Sequence, residues 1–164
     1  MEKSKKQHED ADKKYDAQKI HSLSGFFVRI TRPTCYTELV MITISHTAKS
    51  FPKLPYGEMK DAILGKKYTL SLTFVGKVRA QALNFAYRKA TYVPNVLSFP
   101  LQKDAGEIYI TPVIAEKEAP KYSLTKNGYI GYLFIHGLLH LKGYPHGATM
   151  EKAEKKFMEL FKMK

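Results

Sequence analysis

The pattern of apolar and polar positions predicts short strands that alternate with helices. Residues 68–75 (YTLSLTFV) alternate between apolar and polar side chains, as a half-buried β-strand does. Further β-prone runs lie at residues 23–30, 39–45, 95–99 and 107–111. Apolar residues recur at helical spacing in five segments, which are 56–64, 78–90, 113–119, 128–141 and a last one that begins at Thr149.

These elements predict the fold class and the number of domains. Strands that alternate with helices, some joined by links long enough for a crossover, favour an α+β or mixed-sheet domain. A chain of 164 residues suits a single domain with its own core. In the helix at 78–90, the pattern places Val78, Ala82, Phe85 and Ala86 on one side.

Three histidines follow the pattern H-x-x-x-H-x-x-G-x-x-H near the end of the chain. His136 and His140 are four residues apart, so a helix places them on one face. Gly143 favours the left-handed backbone that ends a helix, which allows His146 to return toward the other two. Three imidazoles that leave one coordination position open are typical of a catalytic zinc site. The pattern therefore predicts a site for one Zn²⁺ ion, although nickel, copper or iron accept similar ligands.

The histidine helix is predicted to have two different faces. At about 100° per residue, the histidine side also carries Tyr129, Tyr132 and Leu133. The opposite side carries Phe134, Leu138 and Leu141. We expect the second side to anchor the helix in the core and the first to face a cleft, with the tyrosines lining its wall or stacking on a base.

Three blocks of the sequence resemble the YbeY family. The histidine motif at 136–146 is similar to that family's H-G-x-L-H-L-x-G-Y-x-H signature. Residues 83–88 (LNFAYR) and 95–100 (NVLSFP) resemble its L-N-x-x-Y-R and D/N-V-L-S-F-P segments, and 106–110 (GEIYI) resembles its G-D-I-V-I strand. The blocks occur in the family's order. The family consists of zinc-dependent endoribonucleases specific for single strands, which act in bacterial ribosomal RNA maturation.

The resemblance implies a small mixed sheet covered by helices, with a zincin-like helix and turn at its centre. It also implies a hydrolase that cleaves RNA phosphodiesters. Processing of the 16S rRNA 3′ end and ribosome quality control are the implied roles. Single-stranded rRNA and the ribosome or its small subunit are the implied partners. Arg88 matches the family's arginine, and its guanidinium could grip two phosphate oxygens at once. Lys89, Asn95 and Ser98 are further candidates for RNA contact, with packing of the strand end an open alternative for Asn95 and Ser98.

Charge and composition agree with a nucleic-acid partner. The net charge is +12, and residues 21–150 carry most of it, so we expect attraction to phosphate backbones rather than to a membrane. Residues 1–20 are mostly charged and are predicted to be a flexible extension before a single nuclease domain at 21–164. A lone cysteine, Cys35, and the lack of a signal peptide or long apolar run favour the cytoplasm.

Two positions depart from related motifs and leave alternatives open. Metalloproteases with this histidine spacing have a glutamate after the first histidine as general base, and Gly137 stands there. The YbeY pattern has an aspartate before the third histidine, where this chain has Pro145. A carboxylate there could support a ligand, and Glu107 or Glu151 could replace it. An RNA- or ribosome-binding assembly factor with a structural metal remains an alternative, as does, less favoured, a metallopeptidase; the oligomeric state is not predicted.

Overall fold

The computed structural model describes residues 41–46 and 51–164, which contain four strands and five α-helices. The strands are β1 (Ile42–His46), β2 (Thr69–Phe74), β3 (Val96–Gln102) and β4 (Ala105–Ile110). The helices are α1 (Tyr56–Leu64), α2 (Lys77–Arg88), α3 (Pro112–Glu118), α4 (Lys126–Leu141) and α5 (Ala148–Leu160), with a 3₁₀ turn at Ala119–Tyr122. The extension at 1–20, the strand predicted at 23–30 and Cys35 lie outside the described residues.

The four strands form one mixed sheet in the order β1-β2-β4-β3. β1, β2 and β4 run parallel, whereas β3 is antiparallel to β4 and takes an outer position. Parallel neighbours need crossover connections, and α1 and α2 lie in the links that provide them. The predicted α+β fold with a small mixed sheet covered by helices is confirmed.

The sheet has two faces that different helices cover. The alternating residues Leu70, Leu72, Phe74, Ile108 and Ile110 are all buried on one face, where α4 packs across β3 and β4. Because side chains alternate along a strand, Glu107 and Tyr109 lie on the other face. Tyr87 of α2 packs on Phe99 there with 4.7 Å between ring centroids, so α2 and α4 lie on opposite sides of the sheet.

Helix α4 is the central helix of the core. It begins at a side-chain cap, in which Thr125 Oγ1 accepts a hydrogen bond from the Gly128 N–H at 3.0 Å. Phe134 and Leu138 are fully buried, which confirms that this side of the helix anchors it in the core. None of the helices in the described part of the chain combines the length and apolarity needed to cross a membrane.

The apolar side of α2 does not face the core. Val78 is 84% exposed and Phe85 is 54% exposed, and Ala82 and Ala86 are exposed as well. The buried residues of α2 are instead Ala80 and Asn84. Asn84 faces inward because its Nδ2 donates to the Tyr92 carbonyl at 3.0 Å, which ties the segment after the helix back against it. A polar residue that is buried through a hydrogen bond is invisible to a hydrophobic pattern.

Candidate metal centre

The structure brings the three histidines of the motif together. One ring nitrogen from each of His136, His140 and His146 lies within 4.8 Å of the others. The Nε2 atoms of His136 and His140 are 3.0 Å apart. The ring centroids of His140 and His146 are 4.4 Å apart, and those of His136 and His146 are 5.2 Å apart. The three rings therefore surround one point.

A short turn carries His146 back toward α4. Gly143 has φ +93° and Gly147 has φ +142°, both in the range that favours glycine. The Gly143 N–H donates to the His140 carbonyl at 2.9 Å, and the Tyr144 N–H donates to the Leu139 carbonyl at 3.0 Å. These bonds close the end of α4, so the predicted turn at Gly143 is confirmed.

The outer nitrogens of two histidines have fixed partners. His140 Nδ1 lies 3.1 Å from the Tyr144 carbonyl oxygen, and His136 Nδ1 lies 2.7 Å from Glu154 Oε1. A carbonyl or carboxylate oxygen accepts, so both Nδ1 atoms donate and each Nε2 of a neutral ring carries a lone pair. Two lone pairs that face each other at 3.0 Å repel unless a proton or a metal ion lies between them. The residues present therefore fit a metal ion.

Glu154 was not among the carboxylates that the sequence suggested. Glu107 lies on the sheet face opposite α4 and accepts a hydrogen bond from Tyr109 Oη at 2.9 Å, so it cannot support the histidines. Glu151 is exposed, and one turn later the 8%-exposed Glu154 faces His136. The sequence did contain a signal, because Glu154 lies within the apolar stripe of α5 between the buried Met150 and the half-buried Phe157.

Gly137 explains why no glutamate follows the first histidine. A Cβ atom at this position would lie 3.1 Å from Ile108 Cδ1 of β4. A longer side chain would therefore start against the sheet and not beside the histidines. Glycine at 137 lets α4 approach β4 closely, which is a packing requirement.

The predicted strand residues have different surroundings. Ser98 pairs with Ile108 across β3 and β4, so it shares the α4 face at the level of Gly137.

Asn95 lies further from the histidines along the sheet. Its Nδ2 donates to Glu118 Oε2 at 2.8 Å, and its Oδ1 accepts from the Val96 N–H at 2.7 Å. Both ends of the Asn95 amide therefore have hydrogen-bond partners within the protein. RNA contact by Asn95 or Ser98 stays a prediction.

Arg88 and Lys89 lie at the end of α2. Both are exposed, and Lys89 has the left-handed backbone that caps the helix, with φ +56°. Tyr87 packs on Phe99, and Phe99 pairs with the residue before Ile108. The end of α2 is thus level with the histidines but on the other side of the sheet. The roles of Arg88 and Lys89 stay predictions.

Tyrosines line α4 next to the histidines. The rings of Tyr129 and Tyr132 stack at 5.6 Å, and the rings of Tyr132 and His136 lie 6.0 Å apart. Burial, and after it the hydrogen bond with Glu118, raises the pKa of Tyr129 above its usual value. Tyr129 is 1% exposed, so it cannot stack on a base and is part of the wall. Tyr132 is half-buried.

The fold and the site together define a class of protein: a single α+β domain with a zincin-like H-x-x-x-H-x-x-G-x-x-H helix and turn that could hold a metal ion. A family model with the description "Endoribonuclease YbeY" matches residues 38–163. Because the match covers most of the chain, the chain belongs to the YbeY endoribonuclease family.

Individual relatives agree with this family. A protein of Mesoplasma florum named "Endoribonuclease YbeY" is 35% identical over 105 residues, which are 57% of this chain and 62% of the relative. A protein of Bdellovibrio bacteriovorus with the same name is 34% identical, over 56% of this chain and 60% of the relative. The chain thus spans less than two thirds of these relatives. A Buchnera aphidicola protein of that name is 30% identical over 73% of this chain and 89% of the relative.

A solved structure is also similar. The solution structure of a protein from Thermotoga maritima is 29% identical and superposes with a TM-score of 0.53. The match covers 73% of this chain and 87% of that protein. The similarity therefore extends beyond the histidine motif to most of the chain.

Proposed function

We propose that this protein is a metal-dependent endoribonuclease that hydrolyses single-stranded RNA. The observation that carries the proposal is the group of three histidines, in which the Nε2 atoms of His136 and His140 lie 3.0 Å apart and His146 closes the third side. Membership of the YbeY endoribonuclease family supports RNA as the substrate. Zn²⁺, one ion per chain, is the metal we propose, because three imidazoles with an open position are typical of catalytic zinc sites.

The side chains around the site have separate roles in this proposal. His136, His140 and His146 hold the ion, which when bound supplies a Lewis acid and an activated water near neutral pH. Arg88 neutralises charge on the scissile phosphate, because a guanidinium binds two phosphate oxygens. From its side of the sheet, the side chain must extend past the outer strand β3 to do so. Ser98, on the α4 face of β3, contacts the RNA beside the site, and Lys89 and Asn95 extend the contact surface.

The substrate and its cellular context form the finer part of the proposal. A net charge of +12 favours binding to a phosphate backbone. We propose ribosomal RNA as the substrate, with processing of the 16S rRNA 3′ end, quality control of the ribosome and a cytoplasmic location. The domain that does this spans residues 21–164. Association with the ribosome would place the site near its substrate.

The test is cleavage of a labelled single-stranded RNA, with a duplex of the same sequence as comparison. We expect cleavage that a chelator abolishes and Zn²⁺ restores, and that His136→Ala reduces to background. Arg88→Ala should lower kcat by about 100-fold, as expected for loss of one group that stabilises developing charge. Arg79→Ala, which removes an exposed arginine of the same helix, is the matched control and should leave cleavage unchanged.

Three results would contradict the proposal or part of it. Cleavage that persists in His136→Ala would identify a contaminating nuclease. Tight RNA binding without cleavage, by protein that contains metal, would favour the assembly-factor alternative. Full activity of Arg88→Ala would refute its role while leaving the metal site intact.

A further inference from the structure

We propose that Glu154 is a positioning residue for the metal centre, which fixes the tautomer and ring orientation of His136 and so sets the affinity for the ion. The inference rests on the metal site of the proposed function but not on the identity of the substrate. Glu154 belongs to α5, and its Oε1 lies 2.7 Å from His136 Nδ1. This bond leaves the Nε2 lone pair of His136 directed at the point where the three rings meet.

The burial of Glu154 needs an electrostatic explanation. The residue is 8% exposed, and a buried carboxylate is costly without compensating charge. Among the ion pairs of the described residues, its partner is His136 and not a lysine or arginine. A cation on the far side of the His136 ring supplies the missing charge. An ion bound by the three histidines would therefore offset the cost of burying the Glu154 carboxylate.

The inference also accounts for the departure at Pro145. In this chain Pro145 stands directly before the third histidine, where the YbeY pattern has an aspartate, and proline offers no carboxylate. Glu154 reaches the site from the next helix, which starts after the sharp turn at Gly147 with φ +142°. A carboxylate that supports a histidine ligand is thus present, but it acts on His136 and comes from a different element.

The test measures Zn²⁺ affinity by competition with a coloured chelator, without RNA. Glu154→Gln should weaken binding by about 10- to 100-fold, the range for losing a residue that supports a ligand. Glu154→Asp should recover part of the loss. Glu159→Gln removes the same charge from an exposed position of the same helix and should leave the affinity unchanged.

A second readout separates positioning from a general structural role. In the metal-free protein, nitrogen NMR of His136 should report a proton held on Nδ1, and Glu154→Gln should shift this equilibrium. Unchanged affinity in Glu154→Gln, or a loss equal to that of Glu159→Gln, would overturn the inference. A wild-type protein that binds no divalent ion would overturn it together with the proposed function. Metal binding without RNA cleavage would contradict only the nuclease.

Discussion

Position 137 separates this site from that of a peptidase with the same histidine spacing. A glutamate there would serve as the general base of a peptidase. In this chain Gly137 packs against Ile108, and its missing Cβ would lie 3.1 Å from the isoleucine Cδ1. A side chain at position 137 would therefore point toward the sheet. The metallopeptidase alternative therefore lacks its proton acceptor for two reasons. Residue 137 is not a glutamate, and a glutamate there would point toward the sheet.

Gly137→Glu tests this geometry. The carboxylate would be forced against a fully buried isoleucine, and we expect a loss of about 3 kcal/mol or more in the free energy of unfolding. Urea unfolding measures it. Asn127→Glu, on the exposed side of the first turn of the same helix, is the control and should change stability little. A stable Gly137→Glu protein with new peptidase activity would contradict the assignment.

Helix α2 forms where the sequence predicted a helix, but the side that carries most of its apolar residues is exposed. Its predicted range of 78–90 agrees closely with Lys77–Arg88. The apolar residues that define its stripe, such as Val78 and Phe85, are exposed. The helix packs through the small Ala80 and the hydrogen-bonded Asn84 because Tyr87 and the return segment fix its rotation.

A pair of substitutions tests the observed face of α2. Asn84→Ala removes the bond to the Tyr92 carbonyl and leaves that carbonyl without its donor, so we expect a loss of about 1–3 kcal/mol in unfolding free energy. Phe85→Ser changes an exposed side chain and should stay within about 0.5 kcal/mol of the wild type. Thermal and urea unfolding both report these values. If Phe85→Ser destabilised the protein more than Asn84→Ala, the apolar side of α2 would be the side that packs on the core, contrary to the structure.

At the scale of the whole molecule, one core joins the sheet, α1, α4 and α5. The core includes buried tyrosines whose hydroxyls are tied to oxygen acceptors. Tyr56 Oη donates to the Pro52 carbonyl at 2.9 Å, and burial raises the pKa of Tyr56 above its usual value. Tyr129 Oη donates to Glu118 at 2.9 Å, and its pKa is raised as well.

These tyrosines predict a loss of stability at alkaline pH. In the unfolded chain tyrosine titrates near pH 10, while the folded protein keeps the proton, so the unfolded state binds fewer protons above that pH. The free energy of unfolding should be level below about pH 10 and fall above it by up to about 1.4 kcal/mol per pH unit for each such tyrosine. Unfolding curves from pH 8 to pH 11, in about half-unit steps, measure it.

Tyr56→Phe is the matched variant for this prediction. It should cost about 1 kcal/mol at neutral pH, because the Pro52 carbonyl loses its donor. Its stability should then decline less steeply than that of the wild type above pH 10. Parallel curves for the two proteins would exclude Tyr56 as a source of the pH dependence.

The sequence by itself determined the local features of this protein. Alternation at residues 68–75 placed β2, helical spacing placed α4, and the H-x-x-x-H-x-x-G-x-x-H spacing with Gly143 placed three imidazoles together. Such features depend on the backbone period and on the conformation of single residues, which a short window of sequence contains. The order of strands and helices predicted an α+β or mixed-sheet domain, and the family resemblance implied the small mixed sheet.

Tertiary structure alone decided which groups meet across elements. Glu154 contacts His136 from 18 residues away, Gly137 packs on β4, and Asn84 is buried on α2. Each depends on how one element is rotated and shifted against another. That rotation is set by the fit of all the core side chains together, so no local period in the sequence encodes it.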